Sequence, residues 1–323
     1  MSEAGLELPA GVGRQRVRRM HTRPRIDVMQ QAALTPLDRM RASTRGWVFH
    51  NTDFHAPPLM RAPWVQTLFD VTPLLLDDPD QAVLRARWKR FGPRYRQASA
   101  VVAISRHAAR EGTEVLGLDP ARVHVAHLGV EPTFVPADRD ENGPPYLLIV
   151  SEFTENKGFK EAFAVLDELV EAGFPHRLVV AGPLRDWSRD RLFALRDEAR
   201  HPDRIDIRGF VPDLVALYQQ AAAYLMASRS EGFGLTALEA MACGVPVVAF
   251  SNSAVTEVVD GGGQLVADGD VVAMTAAVRG LLEDAGRWAE WRERGMIHAT
   301  SFTWDACAAV HAEVYAAVST LAG

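Results

Sequence analysis

Short apolar runs that alternate with helix-spaced stretches constrain this chain more than any other feature. Tyr146-Leu-Leu-Ile-Val150 carries no polar alternation. Both of its faces must therefore be buried, which is the condition of a strand inside a parallel sheet. An amphipathic stretch, Phe159 to Glu171, follows it, and the alternation then repeats. Arg177-Leu-Val-Val-Ala181 reads as a strand and about 189–200 as a helix. Ile205 to Phe210 reads as a strand, Pro212 to Gln220 as a helix, and Ala221 to Met226 as a strand. A helix at about 271–283 and an amphipathic one from about Thr303 to Leu321 close the chain. Strand–helix alternation of this kind gives an α/β fold with a doubly wound parallel sheet and right-handed crossovers.

The richest stretch within that pattern is Glu231-Gly-Phe-Gly-Leu-Thr-Ala-Leu-Glu239, continuing as Ala240-Met-Ala-Cys-Gly-Val-Pro-Val-Val-Ala249. It reads as a polar loop, a helix, a turn and a strand. Loops leaving the carboxyl ends of parallel strands are where such sheets bind ligands, and a glycine loop opening onto a helix start suits a phosphate. Two readings of Glu239 stand side by side. Thr236 and Glu239 have the spacing of a capping box, Thr as N-cap and Glu at N3, and Glu239 is equally placed to hold a ligand. Gly244, with Pro246 just beyond, is expected to end the helix as a C′ residue. Glu231 lies outside any capping geometry, in a loop, where a carboxylate is more often functional.

The run from Glu231 to Val248 resembles the hallmark of the retaining glycosyltransferases with the GT-B fold, specifically glycosyltransferase family four: a Glu, seven residues, a second Glu, in the setting E-G-F-G-L-x-x-L-E-A-M-A-x-G-x-P-V-V. The resemblance implies two Rossmann-like domains facing a cleft. It implies that Glu239 holds the ribose of a nucleotide-sugar donor, that Glu231 meets hydroxyls of the donor sugar, and that the loop Gly232, Phe233, Gly234 and Leu235, with Thr236 following, meets the diphosphate. The loop Ser151 to Gly158 resembles the family's G-R-x-x-x-x-K-G segment. Lys157 stands where a diphosphate clamp is expected, whereas Glu152 replaces the Arg and would repel the donor unless turned away or paired. Ser151 and Gly182, at the ends of two strands, join the expected donor-binding set.

In the first half, Trp64 to Pro73 resembles the family's T-x-H-D-x-x-P segment at the cleft. Phe69 stands in place of the His, which removes a titratable group, and Asp70 follows it, to orient a hydroxyl or to cap the loop. Gly11-Val-Gly-Arg14 resembles the glycine loop near the donor phosphates, giving Gly11 and Gly13 as candidates, with a disordered tail as the alternative. Only ten residues precede that loop, and they do not read as a strand, so the first domain is expected to be shortened. Trp47 to Asn51 is a short strand candidate, with His50, Asp53 and His55 near the same cleft. Residues 80–97 read as a basic helix. Ala98 to Ile104 reads as a strand ending in Ser105-Arg106, with a helix on to Leu116. Val123 to Val130 is the expected last strand of the first domain, and 131–145 the proline-rich linker. The domains are accordingly expected at 1–138 and 144–300, with 301–323 a helix that crosses back to the first.

Charge is uneven. Residues 1–140 carry 20 Lys and Arg against 15 Asp and Glu, while the whole chain stands at −6. The basic excess gathers in Arg14 to Arg25 and Arg85 to Arg96. Such a face suits an anionic acceptor or peripheral contact with an anionic membrane, or is simply solvated. Nucleic acid is not expected, since no zinc spacing, helix-turn-helix or RNP-like motif is present. Two cysteines, Cys243 and Cys307, make no disulfide framework and point to a reducing, cytoplasmic compartment. No apolar run approaches a membrane span.

Taken together, the expectation is a retaining glycosyltransferase that moves a hexose-type sugar from a UDP- or GDP-type donor to a glycan, lipid or small-molecule acceptor. Glu231, Lys157 and Asp70 are its catalytic candidates. No Asp-x-Asp motif of the kind metal-dependent transferases use is recognised, so neither a metal nor a cofactor is expected. Two rivals stand beside it: another GT-B sugar-nucleotide enzyme such as an epimerase or phosphorylase, and a catalytically impaired nucleotide-binding scaffold.

Overall fold

The structure is a computed structural model that describes residues 48–52, 63–76, 81–140 and 143–320. Gly11, Gly13, the basic run Arg14 to Arg25, Asp53 and His55 lie outside the described residues. The described residues form two parallel sheets. The first holds β1 (Phe49–Asn51), β2 (Trp64–Leu68), β3 (Ala100–Ala103) and β4 (Val123–Val125) in that order. The second holds β5 (Tyr146–Val150), β6 (Arg177–Ala181), β7 (Ile205–Gly209), β8 (Ala223–Met226), β9 (Val247–Ser251) and β10 (Gln264–Ala267). Its order is β10-β9-β8-β5-β6-β7, and each of these neighbours pairs in parallel. The order reverses between β5 and β8. In a doubly wound sheet that reversal opens a crevice at the carboxyl ends of the two strands.

In the first domain the helices are α1 (Thr72–Leu75), α2 (Ala82–Phe91) and α3 (Arg106–Leu116). The second domain carries α4 (Phe159–Glu171), α5 (Asp186–Asp197), α6 (Leu214–Gln219), α7 (Leu235–Ala242), α8 (Ser253–Val259), α9 (Val271–Glu283) and α10 (Ala285–Ala299), and α11 (Trp304–Thr320) ends the chain. Their starts follow local chemistry. Ser105 Oγ accepts from Ala108 N at the head of α3, and Asp213 and Asp270 cap α6 and α9 in the same way. Each such cap contributes about 1 kcal/mol. The head of α7 differs from the capping-box expectation. Its N-cap is Gly234, at φ 103, and no side chain caps it. Thr236 lies inside the helix, because a left-handed glycine turns the chain two residues earlier than Thr236 could. At the other end Gly244, at φ 74, closes a Schellman motif: Gly244 N donates to Met241 O and Val245 N to Ala240 O.

Three further expectations need correction. Strand β4 stops at Val125, and the chain from Ala126 to Val130 runs irregularly toward the second domain. Helix α5 begins at Asp186, earlier than its polar pattern suggests. Helix α10 was not expected at all; Asp284 caps it by accepting from Gly286 N and Arg287 N, and its charged composition hid the apolar contacts of Trp288 and Trp291.

The second sheet carries a core on each face. Leu148, Val179, Tyr218, Tyr224 and Met241 lie on one side, and Leu147, Leu166, Leu178, Leu225 and Phe250 on the other. The leucines are fully buried, each contributing about 1.5–3 kcal/mol. Helix α11 does not belong to this core. Its Cys307, Val314 and Val318 pack on Val65, Ala100, Val102 and Ala126 of the first domain. The chain thus passes between the domains twice, and the two passes touch: Val130 N donates to Phe302 O at 3.1 Å, and a Cβ on Gly129 would lie 2.2 Å from Trp304 N.

Candidate functional site

The crevice between β5 and β8 is built from two loops pressed together. Gly158, at φ 65, ends the loop after β5, and a Cβ there would lie 1.9 Å from Ala227 O. Gly182 after β6 plays the same part beside Ser151, where a Cβ would meet Ser151 O at 2.1 Å. Only glycine permits these approaches. They bring Lys157, on a 3-10 turn, against Glu231. Lys157 Nζ donates to Glu231 Oε1 at 2.7 Å and to Oε2 at 2.8 Å. Ser151, Lys157, Ser228, Glu231 and Thr236 line a small cavity floored by Tyr224. Tyr224, fully buried, donates to Thr236 Oγ1 at 2.7 Å; burial pushes its phenol above the ordinary value.

Glu239 stands on α7, half-buried. Tyr218 Oη donates to Glu239 Oε2 at 2.9 Å. Burial raises the Glu239 carboxyl above the usual range, and the Tyr218 hydroxyl opposes that shift. The phenol thus fixes one oxygen. Between the two carboxylates, Phe233 is buried and stacks near His127 and Phe302, so within this loop it offers a ligand its backbone and not its ring. Gly232 and Gly234 flank it, and Leu235 is partly buried against the core.

The first domain closes over this crevice. Ser105 Oγ donates to Gly232 O at 2.8 Å, and the Thr72 and Ser230 hydroxyls are 3.2 Å apart. Gly232 is pressed so closely on the first domain that a Cβ would lie 2.6 Å from Phe69 O. Asp70 is therefore brought to the same place as Lys157 and Glu231. Burial pushes its carboxyl up, against hydrogen bonds from the Thr72 amide and hydroxyl and against the Lys157 charge, while Glu231 adds to the rise. Thr72 N donates to Asp70 Oδ1 at 2.9 Å, so Asp70 does cap its loop while facing the crevice. Phe69 packs on the second domain's core.

Glu152, expected to repel a diphosphate, is paired: Arg185 Nε donates to its Oε1 at 2.7 Å. His50 is on β1. It bonds Thr67 Oγ1 at 2.9 Å and Tyr315 Oη at 2.5 Å, which ties α11 to the first sheet. Burial, with His311 beside it, lowers its pKa to about 4. Four contributors were not singled out by the sequence: Tyr218, Ser253, His127 and the full part of Glu257. Ser253 Oγ accepts from Glu231 N at 3.0 Å. Glu257 lies in the second half of α8, where its carboxylate meets the first domain. Nothing local marks these residues, because their partners are 21 to 151 residues away. Among the described residues no group of three or more His, Cys, Asp or Glu side chains is arranged to hold a metal ion.

Comparison with known proteins bears on this geometry. The model of "Glycosyl transferases group 1" matches residues 133–297, and that of "Glycosyltransferase Family 4" matches residues 11–134. The chain is 28% identical over 285 residues to O-antigen chain mannosyltransferase B of Escherichia coli, covering 81% of this chain and 72% of that one. It is 34% identical over 240 residues to D-inositol 3-phosphate glycosyltransferase 2 of Catenulispora acidiphila, covering 68% of this chain and 56% of the relative. The chain spans about half the length of most curated relatives it matches. In fold it is similar to sucrose-phosphate synthase of Thermosynechococcus elongatus, with a TM-score of 0.71 at 19% identity, over 85% of this chain and 74% of that one.

Proposed function

Because the chain belongs to the group 1 glycosyl transferases, we propose that it transfers a hexose-type sugar from a nucleoside-diphosphate donor to a hydroxyl of a glycan, lipid or small-molecule acceptor, with retention at the anomeric carbon and without a metal. The observation that carries this reading is the meeting of Lys157, Glu231 and Asp70 at the β5–β8 reversal, with Glu239 on the helix that opens there.

In this reading the ribose hydroxyls bind Glu239, whose second oxygen Tyr218 holds. The diphosphate lies across the loop from Gly232 to Thr236, toward the head of α7. Amides and a helix start there favour an anion. Lys157 supplies the positive charge, shared with Glu231. The bond from the anomeric carbon to the diphosphate oxygen breaks, and the diphosphate leaves with the electron pair. The acceptor oxygen bonds to the same face of that carbon, and its proton passes to a donor phosphate oxygen. Lys157 and the loop amides stabilise the charge that grows on the leaving group, the kind of preorganised electrostatics that dominates such reactions. Glu231 fixes the sugar hydroxyls, and Asp70 faces it from the first domain.

The acceptor side rests on the first domain, where α2 exposes Arg87, Lys89 and Arg90 beside Val83, which is 75% exposed. That face supports an anionic acceptor or an anionic membrane surface. Both cysteines are free, in keeping with a cytoplasmic setting. Among the described residues no helix is long and apolar enough to cross a membrane.

The test is incubation of the full chain with UDP-, GDP- and dTDP-sugars, following both binding and nucleotide release. Binding of one donor with slow hydrolytic release is the expected result. Binding with no release, even with a broad pool of acceptors, points instead to a nucleotide-binding scaffold. No binding of any donor overturns the reading.

A further inference from the structure

We propose that α8 couples the donor loop to closure of the two domains, with Glu257 as the positioning residue that holds the first domain in place. The coupling to donor rests on the reading of Glu231 as a donor contact. The clasp itself does not.

Helix α8 touches both partners. At its head, Ser253 Oγ accepts from Glu231 N at 3.0 Å, and Ala254 N donates to Glu231 O at 3.4 Å. Ser253 is held at φ 44, the one non-glycine residue with positive φ among the described residues. A side chain in that region is strained, and strain of this kind persists only where the surroundings demand it. One turn later, Glu257 reaches into the first domain. Its Oε1 accepts from Arg106 N at 3.0 Å and its Oε2 from His107 N at 3.2 Å. His127 Nε2 contacts Oε1, and the Arg106 guanidinium lies 3.9 Å away. The side chain is only 10% exposed. Burial pushes the Glu257 carboxyl up, but the His127 contact and the two amides together outweigh it and hold the group below the usual carboxylate range.

These bonds complete the cap of α3. A helix leaves its first four amides without partners in its own ladder. In α3, Ala108 N goes to Ser105 Oγ, while Ala109 N to Ser105 O is the first bond of the ladder. Arg106 N and His107 N, two of the amides the ladder leaves over, go to a carboxylate of the other domain. The same Ser105 then donates to Gly232 O, in the donor loop. The head of α3 therefore has these two amides paired only when the domains are together. Between its two ends α8 buries Val255, Val258 and Val259 in the second domain's core, so it moves as one piece. A displacement of the Glu231 backbone carries Glu257 with it.

The experiment measures the distance between the domains. Spin labels go on Val83→Cys and Val272→Cys, at sites 75% and 80% exposed; the native Cys243 and Cys307 are buried. Distance distributions are recorded for the full chain alone and with UDP or GDP. The labelled parent should show one narrow distribution. Glu257→Ala should shift weight to longer distances, with the closed fraction falling on the order of tenfold relative to open, the size expected for lost charge-assisted bonds. Glu257→Gln keeps the side-chain volume and one acceptor, and should fall between. In the parent, the nucleotide that binds should sharpen the short distance; in Glu257→Ala it should do so much less. Turnover should fall, and nucleotide affinity should fall with the closed fraction by no more than the same roughly tenfold, since the coupling is reciprocal. A Glu257→Ala protein with the parent's distribution overturns the clasp, whether or not nucleotide binds. If Ala does not fold, Gln with the parent's distribution does the same. A parent that binds no nucleoside diphosphate overturns the donor reading and leaves the clasp to the distance measurement.

Discussion

Lys157→Met isolates the electrostatics of the crevice. The ammonium is 21% exposed and the Glu231 carboxylate 17%, with both oxygens bonded to Nζ. With charge centres roughly 3.5 Å apart and an effective dielectric near 20, the gross attraction is on the order of 5 kcal/mol. Desolvation cancels most of that. Fully exposed pairs are worth about 0–1 kcal/mol, and breaking a fully buried one costs about 3–5 kcal/mol. A pair one-fifth exposed falls between, so Lys157→Met should cost about 2 kcal/mol. The loss has a second source. Asp70 faces the same spot, and without the ammonium two carboxylates oppose each other. The sign with pH follows. Burial already pushes the Asp70 carboxyl up and Lys157 opposes that rise; without the ammonium the ionised Asp70 is penalised more, so the destabilisation should be larger at pH 8 than at pH 5. Glu231→Gln in the same background should restore more than half of it. The assay is urea unfolding of the parent, both single variants and the double variant, with midpoint and slope compared for the same transition. A coupling of about 1–2 kcal/mol is expected. Single costs that add to within about 0.5 kcal/mol, together with indifference to pH, would refute the reasoning.

Further outcomes follow from the same geometry. Glu239→Ala should weaken nucleoside-diphosphate binding by about tenfold or more, the loss of hydrogen bonds to a charged group; unchanged affinity in titration calorimetry removes the ribose role. Burial raises the Glu239 carboxyl, so binding by the parent should weaken as pH falls through a value above that of a free glutamate, and in Tyr218→Phe that acid limb should move higher still. Gly232→Ala places a Cβ 2.6 Å from Phe69 O and 3.1 Å from Asp70 Cβ. It should lower turnover by roughly a hundredfold, the effect of a misplacement near 1 Å; steady-state kinetics with unchanged turnover would place the reacting atoms elsewhere.

Much of the second domain was legible because its strands are continuous apolar runs. Tyr146–Val150, Phe159–Glu171 and Val271–Glu283 fall where their periodicity puts them. Local chemistry near a left-handed glycine was harder. Thr236 has the letters of a cap, yet Gly234 takes the N-cap because its φ lets the chain turn sooner. Helix α10 was missed because Arg287, Arg292 and Arg294 mask its two packed tryptophans. The double-Glu run placed the crevice, and Lys157 was placed by its loop. Glu152 read as a repulsive group, since its partner Arg185 lies 33 residues on. Tyr218, Ser253, His127 and Glu257 act through long-range contacts, which no window of sequence displays.

The paired crossings between the domains carry one more consequence. A single connecting segment would let two bodies tumble against each other about any direction. Here Val130 and Phe302 are hydrogen-bonded side by side, with Gly129 against Trp304, so two cords run together at one edge. Two adjacent cords define an axis, as two pins define a door. Of the three rotations available to a tethered body, the swing about that axis stays cheap, and the other two must stretch or shear one cord. It also means that the first sheet lacks part of its covering until α11 has been synthesised. The first domain can therefore settle fully only after α11 has left the ribosome.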